Sequence, residues 1–294
     1  MSAARKYARI KPIIIVKSGK FHKNPEITVN TDLQITEDFI YDAAFKRVGI
    51  VRVETIDELF NCAKSLSMQP NPPKPNLTII SNADGPAVMA ADLLIMKGGR
   101  LTTISETARS GLKTILPHYC NITNPIDLLE EATPERFRDT MQICLSDPAG
   151  ESILLIYSPQ GVTKPHSIAK IVSNLAGETK RTLLVTLMGE DQECQEARKI
   201  LHLNNIPTFK TPEEAIEAFM NMYSCTRNLE LLYQTPQEIG LDQKNPKYIK
   251  RTIMKAIKEG RSALNVCESL SLLEAYKIPT IRNEIASGPK QVTA

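Results

Sequence analysis

The strongest constraint on this chain is an alternation, running from residue 77 to residue 232, of short apolar runs with longer segments at helical spacing. Leu77-Thr78-Ile79-Ile80-Ser81, Leu101 to Ile104, Ser152 to Tyr157, Thr182 to Leu187 and Ile206 to Phe209 read as strands. Between and after them, Ala87 to Met96, Glu106 to Thr114, Pro134 to Cys144, His166 to Leu175, Glu193 to Asn204 and Pro212 to Leu232 read as helices. Thr133 followed by a proline at the first helical position announces one of these starts. Strand and helix in turn at this spacing imply parallel βαβ units, joined right-handedly, with helices on both faces of one sheet.

The expected fold class is therefore α/β, a flavodoxin-like doubly wound parallel sheet over residues 76–232, flanked by partial α/β domains. Upstream, Pro12 to Val16 is a short β-branched run suited to a buried parallel strand, with no sheet of its own nearby. Residues 18–36 are polar, with Gly19 and Pro25 as breakers, and read as a long loop. A helix over Ile40 to Val48 follows, with Glu37 and Asp38 in its first turn, then a strand over Gly49 to Val53. Thr55 is the expected N-cap of the next helix, with Glu58 completing a capping box. The stretch Gln69-Pro70-Asn71-Pro72-Pro73-Lys74-Pro75 is a stiff linker and the clearest domain boundary. Beyond residue 232, Lys247 to Glu259 and Val266 to Tyr276 read as helices, and Lys277 to Arg282 as the start of a strand. A strand without a partner cannot bury itself, so the chain is expected to stop inside a domain. The expected organisation is residues 1–68, the linker 69–75, the doubly wound domain 76–232, and 233–294 as a truncated helical start of a further domain.

Composition excludes several classes. A net charge of +3 from 36 basic and 33 acidic residues, with no tryptophan, does not advertise nucleic-acid binding. The six cysteines lie far apart without Cys-x-x-Cys spacing, as expected of buried thiols in a reducing compartment, so a cytoplasmic location is expected. No apolar run approaches the roughly 20 residues that span a bilayer, so no membrane insertion is expected. The four histidines show no metal spacing, and no Gly-x-Gly-x-x-Gly, Walker or Gly-x-Ser-x-Gly motif is present, so no metal site is expected.

Five stretches, in order, bear a more specific message: Lys11-Pro12-Ile13-Ile14-Ile15-Val16-Lys17-Ser18-Gly19-Lys20, Tyr41-Asp42-Ala43-Ala44-Phe45, Ile80-Ser81-Asn82-Ala83-Asp84-Gly85-Pro86, Asn124-Pro125-Ile126-Asp127-Leu128, and Arg227-Asn228-Leu229-Glu230-Leu231-Leu232. Together they resemble the middle of the nucleoside-diphosphate-forming acyl-CoA synthetases, the acetate-CoA ligases (ADP-forming) related to succinyl-CoA synthetase. The resemblance implies that residues 1–68 are the end of a succinyl-CoA-synthetase-like domain, 76–232 a CoA-ligase domain, and 233–294 the entrance of an ATP-grasp domain. It also implies a chemistry running from acyl-CoA and phosphate, through an acyl phosphate and a phosphohistidine, to ADP. The family uses CoA, ATP or ADP, and Mg; no cofactor is expected for this chain alone. Separate CoA-binding and ATP-grasp chains, or a homo-oligomer, are the implied partners.

Where the family's phosphohistidine loop reads Ser-His-Thr-Gly, this chain has Val29-Asn30-Thr31-Asp32. A carboxamide nitrogen is delocalised into its carbonyl and does not accept a phosphoryl group as an imidazole does, so no catalytic residue is expected, and Asn30 marks a degenerate site. His22, eight positions earlier, reads as a surface residue. The phosphate-binding candidates are Asn82, Ala83, Asp84 and Gly85, between a strand and a helix where main-chain N–H groups hold anions, and Asn124 and Asp127, which border the same crevice in the family. The alternatives are a tight turn with Asp84 as N-cap, and a turn at Asn124-Pro125 with Asp127 bonding nearby backbone. The expected function is that of a partial acyl-CoA synthetase unable to transfer phosphoryl groups alone. The alternatives are an acyl-CoA-sensing module, as in synthetase-like regions of protein lysine acetyltransferases, and a gene remnant.

Overall fold

The computed structural model describes residues 2–18, 37–233, 246–276 and 278–281. The chain divides into two compact units, Met1–Gln234 and Thr235–Ala294.

The first unit begins with the short helix α1 (Ser2–Tyr7) and strand β1 (Ile13–Val16). Helix α2 (Glu37–Arg47), strand β2 (Ile50–Val53) and helix α3 (Ile56–Met68) follow. The strand expected to lack a sheet has one: β1 pairs with β2 in parallel, Ile13 opposite Ile50 through Val16 opposite Val53. The partner is 37 residues downstream, a separation that strand propensity does not encode. Thr55 caps α3 as expected, accepting from Glu58 N at 3.1 Å. The Glu58 carboxylate reaches one residue further back than a capping box requires, to Glu54 N at 3.0 Å.

The second sheet contains β3 (Asn76–Ser81), β4 (Arg100–Leu101), β5 (Ile126–Asp127), β6 (Ser152–Tyr157), β7 (Thr182–Leu187) and β8 (Thr208–Phe209). Helices α4 (Asp84–Met96), α5 (Glu106–Ile115), α6 (Pro134–Ser146), α7 (Pro165–Ala176), α8 (Gln192–Leu203) and α9 (Pro212–Tyr233) complete the unit. Its strand order is β4-β3-β6-β7-β8, with every pairing parallel. Strand β5, absent from the sequence-based expectation, pairs beside β4 on the same edge of β3. Arg100 and Leu101 face Asn76 and Leu77, while Ile126 and Asp127 face Ile80 and Ser81. Two residues of β5 are too few to show a period, which is why the pattern passed over it.

The fully buried β6 and β7 divide their side chains between two cores by the pleat's period of two. Ile153, Leu155 and Tyr157 point to the layer built by α5, α6, α7 and α8. Leu154 and Ile156 point to the layer built by α4 and α9. This is the doubly wound arrangement the alternation implied.

Helix α9 also reaches the smaller sheet. Its first half packs Ala215, Ile216, Phe219 and Met222 on the large sheet, and Cys225 packs with Val51, Val53 and Cys62. Asn228 Nδ2 donates to Ile50 O at 2.9 Å. The proline-rich stretch is stapled along the way: Gln69 bonds Leu183 N and Asn205 O, and the carbonyls of Pro70 and Pro72 accept from Thr182 and Thr226. One compact unit therefore spans both sides of the expected linker.

The second unit holds α10 (Pro246–Lys258) and α11 (Val266–Ala275). Gly260 at φ +71° ends the first, and a capping box of Asn265 and Glu268 starts the second. Residues 278–281, where a strand was expected, are not in a strand; Ile278 N bonds Leu273 O instead. Lys277 and Arg282 lie outside the described residues.

Candidate functional site at the strand switch point

In an open α/β sheet the ligand crevice lies beyond the carboxyl ends of the strands, where the order reverses. Here that point is between β3, whose successor β4 lies on one side, and β6, whose successor β7 lies on the other. The main-chain ladder between them ends with Ser81 opposite Ile156. Just beyond it, Asn82 is buried, its Oδ1 accepting from Ser158 N at 2.8 Å and its Nδ2 donating to Ser158 O at 2.9 Å. Ser81 Oγ folds over the same turn, accepting from Ala83 N and donating to Ala83 O.

Helix α4 then begins earlier than the sequence suggested. Ala83 is the N-cap and gives no side-chain bond; Asp84 is the first helical residue, not the cap. Pro86 is tolerated because a first-turn N–H has no intrahelical partner. The first-turn N–H groups of α4 are thus left without a capping side chain, and Asp84 and Gly85 are exposed. A Cβ on Gly85 would meet nothing within 4 Å, so its surroundings are open.

On the β5 side Asp127 bonds nearby backbone, as the turn alternative had it, while Asn124 does what neither reading held. Asn124, a phosphate-binding candidate in the sequence, spends its amide inside the sheet. Its Oδ1 accepts from Ile79 N at 2.9 Å, and its Nδ2 donates to Leu77 O at 2.8 Å and Thr102 O at 3.0 Å. Both amide hydrogens are committed, which leaves none to donate to an anion. Asn124 instead fills the gap between β4 and β5 on the edge of β3. Asp127 Oδ1 accepts from Leu129 N at 2.9 Å, holding Leu129 at φ +65°, a left-handed conformation uncommon for a bulky residue. Behind these groups, buried Tyr157 donates its hydroxyl to Thr163 O at 2.6 Å, and burial pushes its pKa up to about 12. Thr163 Oγ1 in turn donates to Ala132 O at 2.5 Å.

Of the sequence candidates, Asn82, Ala83, Asp84, Gly85 and Asp127 are brought to the carboxyl ends of β3 and β5. Asn30 and His22 lie outside the described residues. Among the described residues no three His, Cys, Asp or Glu side chains gather as a metal-holding group. Five of the six free cysteines are buried and Cys267 is half-buried; burial pushes Cys62 and Cys144 up to about 12. Sequence reasoning missed a charge cluster at the end of β1. Asp38 receives a bidentate bond from Arg52 at 2.8 and 2.9 Å and a bond from Lys17 at 3.2 Å. The Arg52 guanidinium holds the Asp38 carboxyl below its usual range. The only sequence signal was an acidic first turn, which helix-dipole logic had already absorbed.

The profile described as Ligase-CoA domain matches residues 77–232, more than half of the chain. The chain belongs to the Ligase-CoA family. Residues 1–66 of this Ligase-CoA chain also match the succinyl-CoA ligase like flavodoxin domain. A 4-hydroxybutyrate–CoA ligase [ADP-forming] of Nitrosopumilus maritimus is 28% identical over 277 residues, covering 94% of this chain and 39% of the relative. The acetate–CoA ligase [ADP-forming] I subunit alpha of Pyrococcus furiosus is 31% identical over 230 residues, covering 77% of this chain and 49% of the relative. The chain thus spans half or less of the length of these curated relatives. A dinucleotide-forming acetyl-coenzyme A synthetase 1 of Ca. Korarchaeum cryptofilum, solved with phosphate and ADP, shares the fold with a TM-score of 0.68 at 24% identity, covering 79% of this chain and 50% of that one.

Proposed function

We propose that this Ligase-CoA chain is the central part of an ADP-forming acyl-CoA ligase, and that its switch-point crevice faces the phosphoryl group in transit. The observation that supports this reading most is the uncapped N-terminus of α4, opening at the β3/β6 switch point inside the Ligase-CoA match. Helix N-termini favour anions through their free N–H groups and their dipole. Residues 1–68 would then be the end of a succinyl-CoA-synthetase-like domain, 76–232 the CoA-ligase domain, and 233–294 the entrance of an ATP-grasp domain.

CoA-binding and ATP-grasp parts would be supplied by a longer chain or by separate chains; the subunit-alpha name of the Pyrococcus relative favours the second arrangement. The two relatives are named for different acids, acetate and 4-hydroxybutyrate, so they do not fix the acyl group. With Asn30 at the phosphohistidine position and an exposed carboxylate, Asp84, in the first turn of α4, this chain alone transfers no phosphoryl group. Wide separation of the free cysteines fits a reducing, cytoplasmic location.

The test is incubation of the purified chain with labelled ATP and with labelled acetyl phosphate, followed by acid and base treatment. No label is expected on the chain, nor on an Asn30→His variant without added partners. Acid-labile label on either protein would overturn the proposal of an inactive phosphoryl site. Calorimetry with inorganic phosphate tests the crevice itself, where tighter binding by an Asp84→Asn variant, which removes the repelling charge, is expected.

A further inference from the structure

The bridge between Asn82 and Ser158 has the form of the ladder it extends. Main-chain pairing of β3 with β6 stops at Ser81 and Ile156. One step on, the Asn82 side chain presents an acceptor to Ser158 N and a donor to Ser158 O, as a neighbouring peptide group would. The main chain of residue 82 is thereby released to turn into α4. Asn82 is only 1% exposed, so its carboxamide is turned away from any ligand that the crevice admits. Ser158 opens a loop whose far end is fixed as well, because Tyr157 and Thr163 tie it to Ala132. The α4 start and this loop are the two banks of the crevice, and Asn82 is the tie between them.

We infer that Asn82 is a positioning residue and not a phosphate ligand: its carboxamide sets the distance between the first turn of α4 and the loop of residues 158–163. The inference rests on the proposed function for the identity of the anion, while the tie itself does not. An alanine at position 82 removes both bonds and lets the banks move apart, so an anion held from both sides loses its geometry. Loss of one well-placed hydrogen bond to an anion is worth about tenfold or more in affinity.

The experiment uses the whole chain, wild type and Asn82→Ala, with Asn82→Ser in reserve should the alanine variant unfold. Inorganic phosphate is titrated by calorimetry, and amide exchange and chemical shifts are followed by NMR. Supporting the inference, the variant binds phosphate roughly tenfold more weakly. Its Ser158 amide also exchanges faster, while the Leu155 and Val185 amides keep their protection. Phosphate affinity equal to wild type, with the Ser158 amide exposed, would overturn it. Absence of phosphate binding by the wild type would sink the proposed function alone. The inference is then judged on the Asp84 and Gly85 amide shifts, which must move in the variant; unmoved shifts overturn it.

Discussion

Replacing Asn124 by alanine tests whether this residue is a seam of the sheet. The substitution removes one bond to Ile79 N and one each to Leu77 O and Thr102 O. Leu77 O keeps a donor, since Thr102 N also reaches it at 3.0 Å. Ile79 N and Thr102 O lose theirs, and Ile79 is fully buried. Each orphaned group costs about 1–3 kcal/mol, hence about 2–6 kcal/mol for two. Asn124 itself is half-buried, so a water reaches part of the gap, and the lower range of about 2–4 kcal/mol is expected. With a urea slope of about 2–3 kcal/mol per molar, the unfolding midpoint falls by about 1 M. The assay is urea denaturation followed by circular dichroism without phosphate, with Asn174→Ala on the exposed side of α7 as control. An Asn124→Asp variant, which keeps the acceptor but sets a carboxylate against two carbonyls, should lose at least as much. Were Asn124→Ala to unfold at the control's midpoint, Asn124 would not be stitching the sheet, and a role facing ligand would regain its place.

Two other predictions use the same unfolding and spectroscopic measurements. Gly49 has φ +81°, and an added Cβ would lie 2.5 Å from Leu232 Cδ1, so Gly49→Ala should cost about 1–3 kcal/mol. Gly85→Ala, with open space around it, should stay within about 0.5 kcal/mol of wild type; equal losses in the two variants would refute the steric account. In the second unit, bonds from Arg261 and from the Asn265 main chain hold Glu268 down to about 2 from an ordinary 4.5. A pKa lowered by folding contributes stability above the unfolded value and loses it as pH falls through the folded one. Helical NMR shifts of residues 266–275 should therefore weaken between pH 4.5 and about 2 in wild type. A Glu268→Gln variant should lack this step, and a step of equal size in both proteins would contradict the pairing.

Much of the fold was legible because its strands are buried on both faces. A strand such as Ser152 to Tyr157, with no polar face to interrupt it, announces itself as a continuous run. Helix starts at Thr133 and Thr55 were legible for a local reason too, since a cap and the main-chain N–H that donates to it sit within three residues. The candidate site was legible only in outline. Asn82 and Asn124 stood out as polar residues beside a helix start and a proline, and the spacing could not say whether their amides face a ligand or the main chain. Both face the main chain, at Ser158 and at Ile79, 76 and 45 residues away. The Asp38 cluster was hidden for the same reason, because its Arg52 partner lies on another element.

Periodicity and capping are properties of neighbours, and they alone settled the alternating elements and the parallel, two-faced sheet. Pairing at a distance belongs to the folded chain. Packing placed β2 beside β1, split the edge of β3 between β4 and β5, and laid α9 across both sheets. The physical reason is that a carboxamide offers the same donor and acceptor to an anion, a water or a peptide group. Which of these it meets depends on what the fold brings within about 3 Å.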